Sequence, residues 1–89
     1  ISRLISAYAA MEKHSLRVGA CYSNGTFGKN WVVRQVIGID PCEQSQCVRY
    51  KVLVGEYRRK RFVAPLDEFR RWAKYEVVRH ENEWERIAV

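Results

Sequence analysis

From residue 16 to residue 63, β-branched and aromatic side chains alternate with polar ones, and glycine, asparagine and proline punctuate the alternation. A period of two with short connections commits this stretch to antiparallel strands. Each strand must bury one face, and it reaches its neighbour only through a tight turn. The first strand is read at 16–22 and ends at Ser23-Asn24-Gly25, where the Asn-Gly pair tolerates the positive φ of a turn; Gly28 and Asn30 lengthen that loop. The second runs over 31–39 and stops at Asp40-Pro41, because proline has no N–H to give to a ladder. A third, over 47–54, puts Val48, Tyr50, Val52 and Val54 on a core face and Arg49, Lys51 and Leu53 on the other. Gly55-Glu56 turns the chain into a fourth strand over 58–63, ending at Pro65.

After Pro65 the period changes. Leu66, Phe69, Trp72, Ala73, Glu76, Val77, His80, Trp84 and Ile87 fall near one side of a helix, and Asp67 and Glu68 place negative charge in its first turn, where the helix dipole favours it. The spacing predicts one C-terminal helix over 66–87. A competing reading breaks it near Lys74 and makes 75–79 a closing strand, since Tyr75, Val77 and Val78 favour strands. At the other end, Ile1, Leu4, Ile5, Tyr8 and Met11 carry the spacing of an amphipathic helix face, which predicts a short N-terminal helical arm over 1–14. No apolar run approaches the ~20 residues of a membrane span, and no signal peptide is evident. The expectation is a soluble, cytoplasmic protein.

Eighty-nine residues hold one domain whose folding buries roughly 60–65% of the unfolded surface, a modest core with no deep multi-domain cleft. The expected fold is α+β and β-rich: a small antiparallel curled sheet or SH3-like barrel of about four to five strands over 16–64, with a short N-terminal and a C-terminal helix. The succession Gly19-x-x-Tyr22, Asn24-Gly25, Trp31-Val32-Val33, Val48-x-Tyr50, Gly55 and Val63-x-Pro65-Leu66-x-x-Phe69 resembles short bacterial SH3-like barrel domains of unknown function. The resemblance covers about residues 17–70. It implies the barrel and carries no chemistry over.

The cysteines Cys21, Cys42 and Cys47 are an odd number, so they cannot all pair within the chain, which supports a reducing compartment. Cys42 and Cys47 flank a short loop and are placed to approach as a disulfide or as half of a zinc site. Cys21, His14 and His80 match no common zinc spacing as further ligands. The expectation is three independent thiols, with no metal and no cofactor. Catalysis finds no constellation either. Neither histidine lies in a motif with a nucleophile and an orienting acid, no phosphate-binding glycine loop is present, and Asp67-Glu68 reads as helix N-terminal charge. The chain is therefore read as a non-enzyme.

Charge distribution says more. Between Tyr57 and Lys74 lie seven cations (Arg58, Arg59, Lys60, Arg61, Arg70, Arg71 and Lys74) against Asp67 and Glu68, so most of the net charge of +6 sits in eighteen residues. Beyond Lys74, four glutamates outnumber Arg79 and Arg86. With strands paired in sequence order, Arg34, Arg49 and Lys51 are expected to share a sheet face with members of the run Arg58, Arg59, Lys60 and Arg61, spaced for successive phosphates of DNA or RNA. Trp31, Tyr50 and Tyr57, and Tyr22 beside them, are candidates for base stacking. The leading expectation is a non-catalytic module that contacts nucleic-acid backbone. Two alternatives stand beside it. One is protein interaction or self-association into a homo-oligomer through the terminal helices, using Ile1, Leu4, Ile5, Tyr8, Trp72, Trp84 and Ile87. The other is small-ligand binding in a pocket lined by Trp31, Tyr50 and Phe62.

Overall fold

The computed structural model of the chain describes residues 16–26, 28–43 and 45–87. Six strands and one helix follow in order: β1 (Cys21–Ser23), β2 (Val33–Cys42), β3 (Ser45–Val54), β4 (Arg61–Pro65), α1 (Leu66–Trp72), β5 (Tyr75–His80) and β6 (Glu83–Arg86). A single 3-10 turn, Gly28–Asn30, lies between β1 and β2. All pairings are antiparallel, in one sheet of order β4-β3-β2-β1-β5-β6. β4 and β6 are its two edges and do not meet, so the architecture is an open sheet. The expected barrel of four to five strands is replaced by this arrangement.

The expected C-terminal helix over 66–87 is also replaced. α1 begins as proline chemistry allows, with Pro65 extended at φ −59 and ψ 145, and it ends when Ala73 turns extended at ψ 117. The backbone N–H of Lys74 then donates to the Ser23 carbonyl at 2.8 Å, which ties the chain to β1 instead of to another helical turn. Val77 and Val78, β-branched and stiff at χ1, favour the strand that follows. Glu81 takes φ 54 in a tight turn, and β6 returns alongside β5 with His80 opposite Glu83. The expected N-terminal helix over 1–14 lies outside the described residues.

Boundaries moved for physical reasons as well. Residues 16–20 form a turn in place of most of the expected first strand. Pro41 lies within β2, not beyond it. β1 accompanies β2 only at residues 33–35, so further along β2 has a free side where proline has no ladder bond to break. β4 begins at Arg61, and the run from Arg58 to Lys60 belongs to the turn before it.

The core lies on one side of the sheet. Tyr22, Val36, Val48, Tyr50, Val52 and Ala64 pack with Phe69 and Ala73, and Phe69 of α1 is fully buried. The Phe69 ring stands edge-on to Tyr22, at 6.1 Å between centroids and 89° between planes. Val36 and Ile39, three apart, both serve this side because the ladder slips between Val36 and Gly38 and leaves Ile37 unpaired, a bulge that restores phase. Val33 and Val77 are buried outside this cluster. Cys42 and Cys47 form a disulfide across the β2–β3 hairpin, which brings their Cα atoms to 5.9 Å; Cys21 stays free. The three independent thiols expected from the sequence are therefore one pair and one thiol. That pairing removes the argument for a reducing compartment.

Candidate functional site

Residues directly opposite each other across a ladder point to the same side of a sheet. The register therefore sorts the expected site residues by face. Lys51 lies opposite Arg61 on β4 and opposite Gln35 on β2; Gln35 lies opposite Cys21, Cys21 opposite Val77, and Val77 opposite Arg86. One cross-strand row thus runs over all six strands on the side away from α1, with cations at both ends. Arg49 and Gly38 form the next register pair on this face, and the Arg49 side chain covers the glycine so closely that a Cβ there would run into its guanidinium. Arg49 is also ion-paired with Asp40.

Arg34 is on the other side. It lies opposite Val52 and Tyr22, both in the core, because it is two residues from the buried Val36 and the ladder between them is regular. The expectation that Arg34 shares a face with Arg49 and Lys51 is overturned by that alternation. Its guanidinium carbon lies 4.0 Å from the centroid of Trp72 and 4.5 Å from that of Tyr50, a cation between two rings. Burial lowers its pKa, the nearby Tyr50 and Glu68 oppose this, and its buried Nε has no hydrogen-bond partner. Arginine stays charged under any such shift of ordinary size.

The basic turn joins β3 to β4. Arg58, Arg59 and Lys60 are exposed and lead directly into Arg61. Three main-chain bonds fix the turn: Arg59 N–H to the Val52 carbonyl at 2.7 Å, Val52 N–H to Lys60 at 2.9 Å, and Lys60 N–H to Tyr57 at 2.9 Å. Tyr57 at φ 66 and Arg59 at φ 73 are both left-handed although neither is glycine. Such conformations persist where the surrounding structure over-determines them, and they concentrate at binding sites. Among the described residues, the ion pairs are Arg17–Glu76, Arg49–Asp40 and His80–Glu85. Lys51, Arg58, Arg59, Lys60 and Arg61 have no carboxylate partner among them. The other cations of the 57–74 segment belong to α1 and its end, where Lys74 Nζ donates to the Arg71 carbonyl at 3.0 Å.

The four stacking candidates separate, and Tyr22 is buried in the core against Phe69. Tyr50 is a core residue, in ring contact with Phe62 at 5.8 Å and Phe69 at 5.3 Å. Trp31 packs edge-on against Trp84 at 6.3 Å, away from Tyr50, and its indole N–H is buried without a partner. Tyr57 alone is broadly open, at 59% exposure, and it stands edge-on to Phe62, 38% exposed, at 5.9 Å. Phe62 is the residue that the charge argument passed over, and its place beside Arg61 on the edge strand was the signal. Trp72 and Trp84, expected to serve association through terminal helices, are both partly buried within the fold, and Trp84 lies on β6.

A cavity of about 320 Å³ opens beside the turn, walled by Arg34, Tyr50, Glu56, Tyr57 and Phe62 over the Val32 and Val52 side chains. Trp31, expected in such a pocket with Tyr50 and Phe62, is not part of it. A second, shallower depression of about 580 Å³ lies on the opposite face beside Cys21, Leu53, Arg79 and Trp84. Burial, and then the charge of Glu76, push the Cys21 thiol above its ordinary pKa, so it is not an activated nucleophile. Among the described residues no group of three or more His, Cys, Asp or Glu is placed to hold a metal ion, and no helix is long and apolar enough to cross a membrane. No protein-family model, curated protein or solved structure matches the chain.

Proposed function

We propose that this chain is a non-catalytic binding module that holds nucleic-acid backbone with Lys51, Arg61 and the turn residues Arg58, Arg59 and Lys60. One observation carries the reading: Lys51 and Arg61 face each other across β3 and β4, next to an exposed turn of three further cations, and none of the five has an acidic partner among the described residues. Opposed like charges repel across a ladder and cost stability. A polyanion removes that cost, and each phosphate contact releases condensed counterions. Arg49, tied to Asp40, contributes less, and Arg34 belongs to the cavity on the other face.

The test is a salt titration. Four or five phosphate contacts give log K against log salt a slope of about −4 and a loss of roughly 10²–10³-fold between 50 and 200 mM salt. Replacing Lys51 or Arg61 by glutamine lowers the steepness by about one each and weakens all sequences alike. Absence of binding at low salt, or binding without a salt slope, removes the proposal.

A further inference from the structure

We propose that the cavity beside the basic turn takes one unpaired guanine of a single strand whose phosphates lie on the exposed turn residues Arg58, Arg59 and Lys60; this rests on the backbone-binding reading and names its ligand. Sequence adjacency joins the two parts. Glu56 and Tyr57 immediately precede the cationic run and Phe62 immediately follows it, so cavity walls flank the cations at both ends of one hairpin turn. Consecutive Cα atoms are about 3.8 Å apart, which places a base in the cavity within one residue of a cation for its own phosphate.

The walls suit a flat aromatic ring. Tyr57 and Phe62 are the most exposed rings beside the turn, set edge to face, and Tyr50 closes the inner side. A volume of about 320 Å³ sits at the lower end of the ~300–1,000 Å³ typical of ligand sites. The left-handed φ of Tyr57 fixes the residue that would stack. A base paired within a duplex is not available to such a cavity, whereas single strands expose bases for aromatic stacking.

The polar groups select the base. Arg34 brings donors only and Glu56 brings acceptors only, and both line the cavity. The Arg34 guanidinium is already oriented between Tyr50 and Trp72, with no carboxylate paired to it among the described residues. Guanine pairs a two-acceptor edge, O6 and N7, with a two-donor edge, N1–H and the N2 amino group. Arginine binds the first edge bidentately, and a carboxylate accepts from the second.

The experiment measures fluorescence anisotropy of labelled eight-nucleotide RNAs, all-uridine or with one central guanosine, against a random duplex and free guanosine monophosphate. The single guanosine is expected to tighten binding about tenfold over all-uridine. Glu56→Gln, at an exposed position, should bring that ratio to about one. Tyr57→Ala should weaken both single strands at least fivefold and leave the duplex unchanged. Equal affinity for the two RNAs, or a ratio that survives Glu56→Gln, overturns the inference while salt-dependent binding of all ligands leaves the backbone reading standing. Guanosine monophosphate binding as tightly as the oligonucleotide overturns the strand. Failure of every nucleic acid to bind at low salt overturns both readings.

Discussion

The guanidinium of Arg34 lies 4.0 Å from the ring of Trp72, so a strand and the only described helix are joined by a cation over an aromatic face. Tyr50 flanks the same guanidinium at 4.5 Å, and Phe69 stands at 5.9 Å. Three rings offer stacking but no negative charge, and the guanidinium is half-buried with its Nε unbonded.

Arg34→Met should therefore keep the fold within about 1 kcal/mol of the parent in urea unfolding, since methionine retains the apolar stem and removes a partly desolvated charge. Arg34→Ala should lose more, through packing. A methionine variant that loses several kcal/mol would show that the cation itself holds α1 in place.

Gly38→Ala tests the open face. The new methyl meets the end of a flexible side chain, Arg49, and Gly38 has no positive φ, so the arginine swings aside and leaves Asp40. The lost pair is exposed and costs no more than about 1 kcal/mol. Freed from its partner, Arg49 joins the neighbouring Lys51, and affinity for single-stranded RNA at low salt should rise. A fall in affinity would place the phosphates elsewhere.

Arg59→Gly should separate stability from binding. At φ 73 a non-glycine residue carries strain of about 1 kcal/mol or more that glycine lacks, offset in part by the freedom glycine adds to the unfolded chain. The variant should melt no lower than the parent and bind RNA with a salt slope reduced by about one. A melting temperature several degrees lower would mean that the Arg59 side chain is structural.

The disulfide has a modest thermodynamic role, because it closes a loop with a sequence separation of only 5. Loop-closure entropy for so short a ring is about 2 kcal/mol. Reduction should lower the urea midpoint accordingly and leave the far-ultraviolet dichroism of the sheet unchanged at low denaturant. Loss of that signal on reduction would show that the hairpin needs its covalent tie.

Cys21 should alkylate slowly. Burial and then Glu76 both disfavour the thiolate and hold the native pKa above that of a free cysteine, so the reactive form appears only at higher pH than usual. Iodoacetamide labelling of the oxidised protein should lag behind a model thiol at pH 8 and accelerate as pH rises further. Because the unfolded thiol ionises first, the pKa difference favours the native state below the unfolded value, and the stability it confers is lost as pH rises through the native one. Rapid labelling at neutral pH would contradict the placement of Cys21 beside Glu76.

Much of the sheet was legible in the residues. Val48, Tyr50 and Val52 alternate toward the core as the period of two requires, and Pro65 marks the strand-to-helix junction. Strands β1 to β4 pair in chain order, as short connections dictate. Arg34 shares parity with the buried Val36 across a regular stretch of ladder, so its charge, which argued for an outward place, was outweighed by the rings that stack on its guanidinium. The C-terminal stretch misled for another reason. Phe69, Trp72, Ala73, Val77 and Trp84 satisfy helical spacing, yet the last two are strand residues, Val77 buried and Trp84 partly so, and β-branched Val77-Val78 with the turn at Glu81 outweighed the period. The cationic turn was visible as charge and Phe62 as a pocket candidate, whereas Glu56 became a site candidate only once the hairpin folded it beside a cavity.

β1 consists of three residues, Cys21–Ser23, yet it carries the pairing of both β2 and β5. It is a seam. On one side lie strands that follow one another along the chain; on the other lies a hairpin that must travel back more than fifty residues to be sewn on. Contacts of such long range form late, after the local hairpins have lowered the entropy of closure. The binding turn sits wholly in the early-forming portion, so the sheet can lose its grip along the seam without disturbing the site. Opening there and gripping at the turn are mechanically separate events in one small sheet.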